Sequence, residues 1–240
     1  FGDAEPSVPV APVARHYETI LTEADLDRWL AKLNAAALTS FDTETDSLDP
    51  MRARLVGMSF SVEAGQAAYL PLTHRYPDCP TQLPLADTLA RLRPWLESDA
   101  HAKVGQNLKY DQHVLSNHGI ALRGVTDDTL LMSYVLASHE RHNMDALAAR
   151  YLNETTLTYE AVTGKGAKQI GFDGVDLQTA TRYAAEDADI TLRLAQTLLP
   201  KLQADAGLLK VYRELEMPVR EILYRMERHG VLLDSGLLNK

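Results

Sequence analysis

The sequence holds one cysteine in 240 residues, Cys79. An internal disulfide is excluded, and with it a small disulfide-stapled scaffold; a reducing, intracellular compartment suits such a chain. No run approaches the roughly 18 apolar residues that a membrane span needs, so no membrane partner is expected. The first residues, Phe1-Gly2-Asp3-Ala4-Glu5-Pro6, carry neither a basic stretch nor an apolar one and do not read as a secretory signal. An initiator Met is also missing, and the expectation is a fragment cut from something longer. Internal repeats are absent. Basic residues are in the minority, 24 Lys and Arg against 33 Asp and Glu, a net charge of -9. That balance argues against a protein that coats nucleic acid by charge alone. It leaves room for an enzyme whose carboxylates collect divalent cations and bind phosphate through them.

What is present reads as a soluble globular chain, 45% hydrophobic and 24% charged. Pro6, Pro9 and Pro12 mark residues 1–16 as an extended linker. Thr22-Glu23-Ala24-Asp25 resembles a capping box, and Leu26, Trp29, Leu30 and Leu33 follow at helical spacing. Five strands are predicted, at Ala37–Thr43, Arg54–Val62, Gln66–Leu72, Lys103–Gly105 and Leu122–Thr126. Helices are predicted at Pro84–Leu96, Asn107–Asn117, Asp128–Ser138, Met144–Tyr151 and Leu177–Gln203. The fold class is therefore α/β, a mixed sheet covered by helices. From Leu208 a new helical stripe runs through Tyr212, Leu215, Val219, Ile222, Leu223 and Met226. Residues 17–205 are expected to form the main domain and 206–240 the start of a second one.

Three segments carry chemistry. In Phe41-Asp42-Thr43-Glu44-Thr45-Asp46, a strand puts Asp42 and Glu44 on one face. In Val104–Asp111, a glycine ends a strand and Asp111 lies one helical turn beyond Asn107. In Tyr183-Ala184-Ala185-Glu186-Asp187, a phenol and a carboxylate share a helix face at i and i+4. Each segment alone also suits a strand end, an ordinary helix start or a solvated acidic helix. Together they offer four carboxylates and a phenol to a common point. Hard divalent cations take such oxygen ligands. Two of them roughly 4 Å apart can clamp both oxygens of a phosphodiester displacement.

The order Asp-x-Glu, Asn-x-x-x-Asp, Tyr-x-x-x-Asp resembles the 3′–5′ exonucleases whose third motif carries tyrosine. More closely, residues 17–240 resemble the proofreading domain of the bacterial DNA polymerase I family (family A), and Glu216–Val231 resembles the passage toward a polymerase domain. The resemblance implies a ribonuclease-H-like, five-stranded mixed sheet flanked by helices. It implies a two-metal-ion 3′–5′ exodeoxyribonuclease that releases nucleoside 5′-monophosphates. Asp42, Glu44 and Asp187 would hold one ion, Asp42 and Asp111 the second, and Tyr183 with Glu44 would orient the attacking water. Leu48, Gln106, Asn107, Tyr110, Arg141 and Tyr159 would contact the substrate, Leu48 as a wedge and Tyr159 by stacking. The cofactors would be Mg2+ or Mn2+, with Zn2+ able to take the site in crystals. The partners would be a single-stranded or frayed DNA 3′ end and the polymerase domain of the same parent chain. A monomer in the cytoplasm, at the bacterial nucleoid, would suit that role. Two alternatives stand beside it, a ribonuclease-D-like exoribonuclease and an inert scaffold domain.

Other signals weigh less. Val162–Lys168 lacks the glycine and hydroxyl offsets of a phosphate-binding loop, so an ATP site is rejected. His139-Glu140-Arg141-His142 lacks zinc-ligand spacing. Lys103, Lys109 and Arg123 suggest a small basic island able to steer a strand end.

Overall fold

The computed structural model describes residues 14–238. Among these, six strands make one sheet: β1 (His16–Thr19), β2 (Thr39–Thr45), β3 (Leu55–Glu63), β4 (Gln66–Pro71), β5 (Lys103–Gly105) and β6 (Val125–Asp128). Their order is β1-β4-β3-β2-β5-β6. β2, β3 and β4 form an antiparallel meander, while β1 joins β4, and β5 and β6 extend from β2, all in parallel. The mixed α/β class is as expected, but the strand count is six, not five. The extra strand, β1, is four residues at the sheet edge, too short for alternation to show in sequence. Pairing of His16–Thr19 with Gln66–Tyr69 recruits it. It also begins inside the expected linker, of which residues 1–13 lie outside the described residues. β6 starts three residues later than predicted. The chain first turns at Gly124, where φ is +70° and a Cβ would sit 2.4 Å from the His101 carbonyl.

Helices pack around the sheet: α1 (Glu23–Ala35), α2 (Leu85–Leu96), α3 (Leu108–Asn117), α4 (Thr129–Leu136), α5 (Met144–Leu147), α6 (Tyr159–Thr163), α7 (Leu177–Gln203), α8 (Ala206–Lys210) and α9 (Met217–His229). The capping box at Thr22 and Asp25 is formed and starts α1. Alternation along β2 sends Phe41 into a core with Phe60, Trp29, Leu33, Trp95, Leu108 and Leu115. Phe41 and Phe60 meet the Trp95 ring at 6.4 and 5.8 Å, both edge-on. Burying each such ring stabilises the fold by roughly 2–3 kcal/mol. On the other face α7 crosses β2, β3 and β4. Ala180, Ala184 and Ala188 are fully buried there, so the helix backbone comes close to the sheet.

The C-terminal helices fold back onto this body. Tyr212 is fully buried. Its hydroxyl donates to Asp127 Oδ1 and accepts from the Asp128 amide, both at 3.0 Å. α9 lies along α3, with Glu221 accepting from Gln112 at 2.9 Å and Glu227 2.8 Å from His113. The predicted stripe therefore divides: Tyr212 belongs to the body, while Leu215, Ile222 and Met226 are exposed. The expected basic island does not form. Lys103 is fully buried with its ammonium 4.5 Å over Trp95, and burial lowers its pKa to about 8. Lys109 is paired with Glu227.

Candidate active site

The end of β2 sets the site. Phe41 and Thr43 turn toward α3, and Asp42 and Glu44 turn toward α7, as strand alternation requires. α7 brings Asp187 to meet them, and ligand oxygens of Asp42, Glu44 and Asp187 all lie within 4.8 Å of one another. Glu44 and Asp187 are buried and Asp42 is partly so. Among the described residues no Lys or Arg pairs with these three or with Asp111. Burial is the first cause that raises all four carboxyl groups above the ordinary range. Asp42 is pushed up to about 8, with Asp187 adding to the effect. Glu44 is raised further by Asp42, Asp187 and Asp111.

Asp111 arrives from the other side of the strand. Its Oδ1 accepts from the Thr43 amide at 2.9 Å and from Thr43 Oγ1 at 2.6 Å. One oxygen is thus committed within the protein. The start of α3 is held by Asp128, whose carboxylate accepts the amides of Asn107, Leu108 and Leu130 at 2.9–3.0 Å. Asn107 itself takes φ +65°, a left-handed conformation that asparagine tolerates better than most residues.

Asp42, Glu44 and Asp187, without Asp111, floor a cleft of about 620 Å³ whose walls include Leu48, Tyr110, Tyr159 and Tyr183. Leu48 is 94% exposed on the rim. The Tyr110 hydroxyl donates to the Ser47 carbonyl and meets Thr45 Oγ1, which anchors the loop beneath Leu48. Burial pushes the Tyr110 phenol up to about 12. Burial, then Asp187, Glu44 and Asp42, raises Tyr183 far above the usual phenol range, so it stays protonated and can donate. Tyr159 stacks on Phe172 with rings 6.3 Å apart and 17° from parallel, and Phe172 in turn packs 5.7 Å from Tyr183.

Three of the expected contacts stand elsewhere. Gln106 is spent inside the fold: Nε2 donates to the His142 carbonyl at 2.8 Å, and Oε1 accepts from Thr129. Asn107 and Arg141 are exposed and do not line the cleft. Sequence reasoning missed Thr43, Asp128 and Phe172. Thr43 lies inside the Asp-x-Glu segment, but its role depends on α3 crossing behind the strand. Asp128 had a signal as an acidic residue just before a helix. Phe172 had none.

A sheet of this order, carrying carboxylates at the end of β2 and on α7, is an arrangement that a nuclease can use. A family model described as 3′–5′ exonuclease matches residues 17–203, and the chain belongs to that family. It is 50% identical over 225 residues to DNA polymerase I of Pseudomonas aeruginosa, covering 92% of this chain and 25% of that one. It is 43% identical over 242 residues to DNA polymerase I of Rhizobium leguminosarum, covering 93% and 24%. The chain spans about a quarter of the length of these relatives. Among solved structures it resembles the POL domain of Pol1 from M. smegmatis in complex with DNA primer-template and dNTP. The TM-score is 0.71 and the identity 23%, covering 92% of this chain and 34% of that one. Escherichia coli RNase D shares the fold with a TM-score of 0.61 at 16% identity, covering 88% and 51%.

Proposed function

We propose that the chain is the proofreading module of a family A DNA polymerase, a two-metal-ion 3′–5′ exonuclease that removes nucleotides from DNA 3′ ends. The observation that carries this reading is the meeting of Asp42, Glu44 and Asp187 oxygens within 4.8 Å at the floor of an open cleft. The residues suit divalent cations. Glu44 Oε1 is buried with no hydrogen-bond partner among the described residues. Crowded, buried carboxylates without a basic partner call for another positive charge. Asp42, Glu44 and Asp187 would hold one Mg2+ or Mn2+, and Asp42 with the free oxygen of Asp111 the other. When bound, such ions lower the pKa of water and balance charge on the leaving oxygen.

The protein's own groups do the rest. Tyr183 donates from a phenol that stays protonated at neutral pH, and Glu44 accepts through its unpartnered oxygen, so the two together orient the attacking water. Leu48 wedges against the end of the strand and Tyr159 stacks on a base. A cleft of this kind takes unpaired ends, and mismatched ends fray more readily. DNA rather than RNA is favoured by the close relatives, which carry DNA polymerase names. The remainder of the parent chain would supply the polymerase site from which a primer end arrives.

The test uses DNA and RNA oligonucleotides labelled at the 5′ end. A DNA ladder shortening from the 3′ end, lost in EDTA and in Asp42→Ala, is expected. Faster shortening of RNA would make the chain an exoribonuclease of the RNase D kind. DNA binding without any ladder in Mg2+ or Mn2+ would make it a scaffold.

A further inference from the structure

A second cleft, of about 550 Å³, opens between α3, α9 and the turn that precedes β6. Four arginines line it, Arg123, Arg213, Arg220 and Arg225, against two carboxylates, Asp99 and Glu221. The chain as a whole carries a net charge of -9, so a cleft whose four arginines outnumber the acids facing them, Asp99, Glu221 and the Arg213 partner Asp127, stands out from its surroundings. We propose that this cleft binds a phosphate of the polynucleotide backbone, a second hold on the strand that rests on the exonuclease reading.

The two lining acids are committed, whereas Arg123, Arg220 and Arg225 are only partly engaged and Arg213 is paired with Asp127. Glu221 accepts from Gln112 at one oxygen and from Arg225 Nε at the other, both at 2.9 Å. Asp99 accepts the Gly124 amide at 3.3 Å and lies 3.7 Å from Arg123. Arg220 is 8% exposed, and its Nε is buried with no partner among the described residues. Its Nη1 donates to Gln112 Oε1 at 3.1 Å, and Glu221 stays 4.0 Å from Nη2. Asp128 also feels the Arg220 charge, but its oxygens accept three backbone amides. A buried guanidinium with an unmatched donor costs stability unless something accepts from it. Arg213 is held by the Thr126 carbonyl and Asp127 and shapes the wall. Arg123 and Arg225 are 60% and 70% exposed and can swing terminal donors over the opening. Guanidinium forks match phosphate oxygens, and several around one opening favour an anion with several acceptors. Gln112 follows Asp111 on α3, so this cleft and Asp111 lie on adjoining faces of that helix.

The test measures binding of a fluorescent thymidine oligonucleotide by anisotropy in EDTA, across a range of KCl. Arg123→Gln/Arg225→Gln is compared with the unaltered protein, with Arg220→Met as a second variant. The expected result is roughly tenfold weaker binding at low salt. The slope of log affinity against log salt should flatten by about 0.7 for each phosphate that the variant no longer neutralises. Melting temperature and metal-dependent hydrolysis of a dinucleotide, too short to reach both clefts, should not change in the double variant. Unaltered affinity and slope in both variants would overturn the proposal. So would competition by inorganic phosphate at this cleft without a change in the oligonucleotide slope, since the site would then take free phosphate. The hydrolysis arm reads the exonuclease assignment and the salt slope reads the arginine cleft, so either can fail alone.

Discussion

At the scale of single residues, the carboxyl groups at the end of β2 oppose the stability of the metal-free protein. Asp42 is held up to about 8, above its ordinary value of 3.8. The folded chain therefore keeps a proton that the unfolded chain has already lost over that interval. Stability of the metal-free protein falls as pH rises from about 4 to 8 through this group. Glu44, Asp111 and Asp187, also raised, act in the same direction. Thermal melts in EDTA should show a lower midpoint at pH 8 than at pH 5.5, and Mn2+ should reverse the trend. Asp42→Asn should flatten it and raise the pH 8 stability in EDTA by about 1–2 kcal/mol, while abolishing hydrolysis. A midpoint in EDTA independent of pH would count against the crowding. Thr43 gives a second prediction at this scale. Thr43→Val removes the hydroxyl that fixes Asp111 Oδ1. It should cost about 1 kcal/mol of stability and weaken the second of two Mn2+ binding steps in calorimetry, with Thr43→Ser restoring both. Two binding steps left intact by Thr43→Val would show that Asp111 does not depend on it.

At the scale of elements, β2 and α7 carry the site, and both were legible. The Asp42, Glu44 pairing followed from alternation, and the Tyr183, Asp187 pairing from helical spacing. α6 is a different case. It is only five residues long, and Tyr159 depends on the buried ring of Phe172 for its position. Tyr159→Ala should raise KM for a single-stranded DNA substrate about tenfold or more, as base stacking is worth about 1–3 kcal/mol, with Tyr159→Phe close to neutral. An equal loss in both variants would assign the hydroxyl, not the ring. The short edge strand β1 and the commitment of Gln106 to His142 and Thr129 were not legible, because partners distant in sequence decide both. Lys103 likewise reads as a surface cation in sequence and is buried by Trp95 in the fold.

At the scale of the whole molecule, a residue at the start of the described chain is tied to its middle. Arg15 pairs with Glu154 and Glu186, and Arg193 pairs with the same Glu154. Glu186 also accepts the Leu157 amide at 2.6 Å. This network ties β1 to α7 and to the segment leading into α6. Arg15→Ala should cost about 1 kcal/mol, discounted for the partial exposure of Arg15, and lower the melting midpoint by about 2–4 °C. An unchanged midpoint in a calorimetric scan would show that the network is solvated and idle. A truncation that reaches Arg15 is therefore not neutral, although the sequence there looks like linker.

By itself the sequence determined the element types that bear the carboxylates and which of them share a face, because strand and helix periods are local properties of the backbone. It also carried the ordered motifs that mark the exonuclease family. Only the tertiary structure decided that Asp111 is turned onto Thr43, that Phe172 backs Tyr159, and that Arg123 shares one cleft with the arginines of the C-terminal helix. Those outcomes depend on contacts between residues far apart in the chain, where close packing and the need to satisfy each buried polar atom select the partner.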